Sequence, residues 1–156
     1  MTFGADLGRG FTRNTRYLTG QLDGIDHRQS LAQPEFGANC LNWTVGHMLQ
    51  YRGSVAELLG VDLPQSAGLD RYARESDPIL EDGPGVLDFG QLLERFAETE
   101  QPIAEALSGL PDDGLAEEIV RNERSATLNS RVLFLYFHDT LHAGQADVLA
   151  EFSRRA

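Results

Sequence analysis

The chain contains no lysine: all 13 of its basic residues are arginine. Set against 24 acidic residues, they leave a formal charge of −11, and no basic cluster offsets it. Such a surface repels phosphate backbones, which argues against direct nucleic-acid binding. There is one cysteine, Cys40, so no internal disulfide can form. That fits a reducing, cytoplasmic setting. No stretch approaches the roughly 18 uninterrupted apolar residues of a membrane span, so no membrane partner is expected. The opening MTFGADLGRG lacks the apolar core of a secretory signal. Repeats, low-complexity tracts and internal boundaries are also lacking, and residues 1–156 read as one domain.

What the chain does have is helical periodicity. Four segments carry it, which predicts an all-α fold, a four-helix bundle. The first runs from about Ala5 to Ile25, with Leu7, Phe11, Leu18, Leu22 and Ile25 on one face and Gly24 as a terminator. The second runs from about Cys40 to Leu59, with Asn39 as its expected cap and Gly60 closing it. The third covers about Leu87 to Leu110, and Pro102 within it predicts a kink or break. The fourth, Asn129 to Ser153, is the most apolar.

A long connection, VDLPQSAGLDRYARESDPILEDGPGV, separates the second and third segments. Its prolines and glycines read as an ordered surface loop, one that crosses the bundle or covers a functional mouth. The shorter connection PDDGLAEEIVRNERSAT has room at Leu115 to Ser125 for a helical turn or a short extended piece.

Four histidines stand out: His27, His47, His138 and His142. On a helix, His138 and His142 project from one face, near enough to share a metal ion. Such pairs also arise by chance on solvated faces. Here the helix before them, VLFLYF, is almost wholly apolar, and Leu141, Val148, Leu149 and Phe152 extend what reads as a buried stripe. Buried imidazoles need partners, and a shared metal supplies one. A third ligand is then expected. His47, flanked by Val45, Met48 and Tyr51, is the best candidate, the alternative being a core histidine bonded to a carbonyl. His27 reads as exposed. Three histidines from two helices leave coordination positions open, as catalytic sites do.

The stretch NCLNWTVGHML (39–49) resembles the second-helix signature of the DinB/YfiT-like metalloenzyme family, and FHDTLHAGQADVL (137–149) resembles its last-helix signature. RNTRYLTGQL (13–22) is loosely similar to the family's first helix. The resemblance implies a four-helix bundle with a long connection between helices two and three. It also implies a metal site formed by His47, His138 and His142. It further implies a divalent ion (nickel, zinc or iron), frequent homodimers, and in some relatives a thiol S-transferase activity. Those relatives use a low-molecular-weight thiol such as bacillithiol or mycothiol as cosubstrate, its thiolate activated by the metal.

Around the site, Gln145, one turn past His142, can bond a metal-bound water or an imidazole N–H, or else pack on a dimer face. Tyr51 can donate to a ligand or serve as a core tyrosine. Trp43 reads as packing beneath His47. Glu100, among the inward positions of the third segment, is either a general base or a solvated residue beside Pro102. Arg52 and Arg131 suit surface pairs better than ligand binding. Cys40 reads as a small buried hydrophobe.

The expectation is a divalent-metal-dependent enzyme acting on a small molecule, a thiol S-transferase or a hydrolase. The alternative is a non-enzymatic metal-binding or stress-response module.

Overall fold

A computed structural model describes residues 2–121 and 123–156. The fold is mostly helical. α1 (Phe3–Leu22), α3 (Leu41–Leu59), the pair α4 (Phe89–Glu98) and α5 (Glu100–Gly109), and α7 (Leu128–Ser153) form the four arms of the bundle. α2 (His27–Ser30) and α6 (Asp112–Leu115) are single turns, and β1 (Glu118–Arg121) pairs antiparallel with β2 (Arg124–Thr127) as a small hairpin. α1 packs on α5 and α7, and α3 on α7 and α4. No described helix is long and apolar enough to cross a membrane.

The expected apolar faces build the core. Leu7, Phe11, Leu18 and Leu22 of α1 are buried, as are Val45, Met48 and Val55 of α3 and Leu92, Phe96, Ile103 and Leu107 of α4 and α5. Each such side chain stabilises the fold by about 1.5–3 kcal/mol relative to exposure. α1 ends at Leu22, and Gly24 takes a left-handed φ of 77° just beyond it. Gly60 ends α3 in the same way, with φ 66°.

One helix cap needs correction, and two expected features take definite form. Cys40, not Asn39, occupies the N-cap of α3, and no side-chain hydrogen bond caps it. The third segment breaks at Thr99, a turn before Pro102. The proline ring has no room against the carbonyl four residues back, so the helix stops there and restarts with Pro102 in the first turn of α5. The stretch after α5 holds both a helical turn and an extended pair, the hairpin; Asn122 within it lies outside the described residues.

The long connection is an ordered surface loop, as expected, but one anchored into the core at four points. It forms 3-10 turns at Pro64–Ser66 and Asp70–Tyr72 and buries Leu63, Leu69, Tyr72 and Ile79. The fully buried Tyr72 is its anchor: its hydroxyl donates to Asn42 Oδ1 at 3.0 Å and accepts the Leu87 N–H at 2.7 Å. Gly46 makes room for this ring, since a Cβ there would run into it. His27 is also not the exposed residue expected; it is half-buried, and its Nδ1 accepts the Phe89 N–H at 3.2 Å, fastening α2 to the start of α4.

α7 departs most from its expected pattern. Val132, Leu135, Ala143, Ala146 and Leu149 are buried, but Phe134, Phe137, Leu141 and Val148 are exposed. The helix is apolar on more of its circumference than the bundle covers, so the stripe drawn through Leu141 and Val148 faces outward.

Candidate metal centre

α3 and α7 lie side by side, and their facing turns bring His47, His138 and His142 together. One nitrogen from each ring lies within 4.8 Å of the others. The Nε2 atoms of His138 and His142 are 3.1 Å apart. His47 is buried, and the other two are half-buried.

The His47 ring is held on both sides. It stacks on Trp43 at a centroid distance of 4.4 Å and meets Tyr51 at 4.7 Å. Its Nδ1–H donates to the Tyr72 carbonyl at 2.8 Å. That bond fixes the tautomer and leaves Nε2 as a lone pair. Tyr51 stacks on His138 at 3.8 Å. Tyr51 thus supports two ligand candidates by ring contact, and Trp43 packs beneath the site as expected.

Burial holds all three histidines below their ordinary pKa. For His138, burial together with the neighbouring His142 and His47 lowers it to about 4. For His47 this is opposed by its bond to the Tyr72 carbonyl, and for His142 by the neighbouring Gln145 side chain and by the charge of Asp139. At neutral pH the rings are uncharged, the form a metal ion requires.

The donor set fits a divalent cation. Two nitrogens 3.1 Å apart can both lie about 2.0–2.1 Å from one ion. Two neutral rings in that pose can make at most one hydrogen bond between them, whereas a cation takes up both lone pairs along with that of His47. The Nδ1 atoms of His138 and His142 are buried without a hydrogen-bond partner among the described residues, so the rings are held chiefly by packing.

Glu100 is not brought to this cluster. It opens α5, and its carboxylate accepts from Arg16 at 3.3 Å. Gln145 lies beside His142 on the exposed side of α7. Cys40 is fully buried, and burial pushes its thiol pKa up, away from a reactive thiolate.

Two parts of the site were not visible in the sequence reading. One is the Tyr72 carbonyl. The other is the ion pair of Arg52 and Asp139, buried beside the histidines. The Arg52 Nε–H and an Nη2–H donate to the two Asp139 oxygens at 3.0 Å each. Arg52 Nη1 donates to Thr15 and Thr99 at 2.9 and 3.0 Å, and Nη2 donates to the Phe11 carbonyl at 3.3 Å. All five guanidinium protons are therefore matched. Asn14 donates to Asp139 at 2.9 Å. Arg52 was read as a surface arginine, but it is fully buried and joins four helices. Arg131 serves locally, donating to the Ile119 and Arg124 carbonyls of the hairpin.

A helical bundle with an inward-facing three-histidine cluster defines a recognisable class. The DinB superfamily model matches residues 11–146, and the chain belongs to that superfamily. No curated protein matches the chain.

Proposed function

We propose that His47, His138 and His142 hold one divalent metal ion and that the chain is a metal-dependent enzyme acting on a small molecule. The observation that carries this reading is the convergence of the three imidazoles, with one nitrogen of each within 4.8 Å of the others. When bound there, the ion would supply Lewis acidity and lower the pKa of a thiol or a water. The protein's own part is to keep the rings neutral and aligned. The Tyr72 carbonyl orients His47, Trp43 and Tyr51 clamp the rings, and Arg52 with Asp139 sets α3 against α7. Nickel, zinc and iron all suit such a donor set. A thiol S-transferase using a low-molecular-weight thiol, or a hydrolase, is the chemistry proposed. A second copy of the chain is proposed to dock on the exposed apolar patch of Leu133, Phe134 and Phe137 on α7.

One observation favours a non-enzymatic metal-binding module instead. Neither Cys40 nor Glu100 belongs to the cluster, and the Asp139 carboxylate beside it is engaged by Arg52 and Asn14, so among the described residues no nearby side chain is a ready nucleophile or carboxylate base. Elemental analysis of the purified protein beside its His138→Ala variant tests the metal. About one divalent ion per chain, lost in the variant, is expected. A metal-free protein after incubation with nickel, zinc and ferrous iron sinks both readings. Assays with thiol and hydrolysable substrates then separate enzyme from module.

A further inference from the structure

A cavity of about 690 Å³ opens between the turn at residues 34–37 and α7, and His142 and Trp43 form part of its wall. Its size falls in the range of about 300–1,000 Å³ usual for small-molecule sites. His142 thus belongs both to the cavity wall and to the histidine cluster.

Its lining is distinctive for what it lacks. Phe36, Leu141, Val148 and Leu149 supply apolar walls, and no Asp, Glu or Arg takes part. The polar contribution is neutral. The Thr44 hydroxyl is already committed to the Cys40 carbonyl at 3.0 Å. Asn39 and Gln145 remain, amides that give and accept hydrogen bonds but offer no counter-charge. Along the walls away from His142, a carboxylate or phosphate would lose water with no cationic side chain to replace it, in a protein carrying a formal charge of −11.

Gly144 borders this space from α7, and a Cβ added there would meet nothing within 4 Å. Gly37, at φ 73°, lets the opposite wall turn; its N–H donates to the Pro34 carbonyl at 3.3 Å.

We infer that this cavity binds the uncharged, largely apolar body of a small molecule, an alkyl or aromatic group whose single donor end lies toward His142. The inference deepens the proposed function and rests on it only for the donor end. On this reading, the part of a ligand that fills the cavity is the one without carboxylates.

The test titrates the protein, with and without nickel, with straight-chain alkanethiols from ethyl to hexyl. Mercapto-carboxylates of matching length serve as the charged comparison. Trp43 is the single tryptophan and lines the cavity, so its fluorescence reports binding there, with calorimetry alongside. Affinity is expected to rise about fourfold per added methylene. In metal-free protein the charged series should bind more weakly by about tenfold or more. Gly144→Leu should weaken the hexyl probe by about tenfold while leaving metal content unchanged. Circular dichroism of Gly144→Leu confirms the fold, and Phe36→Asp, on the opposite wall, gives an independent second variant.

A flat response to chain length, equal binding of the carboxylates to metal-free protein, or indifference to both variants overturns the inference. The straight-chain alcohols, titrated into metal-free protein, separate it from the metal reading. Affinity rising with chain length there supports the cavity even if no metal binds. Stoichiometric metal with a flat series leaves the metal reading standing and sinks the cavity.

Discussion

Arg52 and Asp139 are joined by two hydrogen bonds of 3.0 Å in a part of the bundle that water does not reach. Arg52 lies five residues after His47 on α3, and Asp139 follows His138 on α7. The pair therefore fixes the rotation and register of the two helices that carry all three histidines. The rings of Phe96 and Phe11 lie 4.2 and 5.2 Å from the guanidinium carbon and close the site from the apolar side. A buried ion pair is not in itself a strong stabiliser, because both charges must be desolvated. Its effect here is to specify one alignment.

Removing one member leaves the other charged and unmatched. Asp139→Ala is expected to cost about 3–5 kcal/mol in chemical denaturation. The double variant Arg52→Met with Asp139→Leu should recover much of that. It should still bind metal less well than the parent, because the register is no longer specified. A double variant as unstable as the single one would contradict this account.

Gly46→Ala probes the link from the connection to His47. The new methyl would strike the buried Tyr72 ring, which has no room to withdraw. Overpacking of this kind costs about 1–3 kcal/mol. Because the Tyr72 carbonyl moves with its ring, metal affinity should fall further than for Gly20→Ala, where a Cβ meets nothing. Parallel melting curves and metal titrations of the two variants decide the matter.

Metal should raise the melting temperature of the parent protein. At a free concentration about one hundred times Kd, the gain is about 2.7 kcal/mol, or roughly 5–10 °C for a chain of this size. His142→Ala and His47→Ala should show none of it. An equal shift in either variant would mean that the ion sits elsewhere.

The depressed histidines set the acid behaviour of the metal-free protein. His138 has a folded pKa of about 4, below the ordinary 6.5, and His47 and His142 are shifted the same way. The unfolded chain therefore binds more protons between these values, so the contribution of these groups is complete above about pH 6.5 and is lost as pH falls toward 4. In the His138→Ala variant this loss should be smaller. Denaturation midpoints across that pH range measure the difference.

The exposed patch on α7 predicts self-association. Phe134 and Phe137 are 61% and 63% exposed, unusual for phenylalanines three residues apart on one helix. Phe137→Glu should convert a dimer into a folded monomer in sedimentation velocity; a parent that is already monomeric would dispose of the dimer.

Much of the architecture was legible in the sequence because amphipathic periodicity is local. Leu7, Phe11 and Leu18 announce α1, and Leu92 and Phe96 announce α4, before any neighbour is known. The convergence of His47 with the HxxxH pair was legible for the same reason: each lies on a long, apolar helix. What escaped depends on non-local pairing. Arg52 reads as a surface residue until Asp139 is seen opposite it. An aspartate within the apolar run of α7 and an arginine on an inward-facing α3 are opposite charges, and that was the available signal. Tyr72 acts through its backbone carbonyl, which no residue identity encodes; only Gly46, just before His47, marks the close approach. The outward stripe of α7 misled because an apolar helix face indicates burial without saying whether its own bundle or another molecule provides it.

The Tyr72 carbonyl has one more consequence. The group that aims His47 comes from the connection rather than from either histidine-bearing helix. The candidate ligands and the part that aims one of them therefore sit on separable pieces of chain. Changes near Tyr72 would alter how firmly His47 is held without replacing any of the three histidines, provided that its contacts with Asn42 and Gly46 of α3 are kept. For protein engineering, the natural place to alter the geometry of this cluster is a segment that contains none of its three histidines.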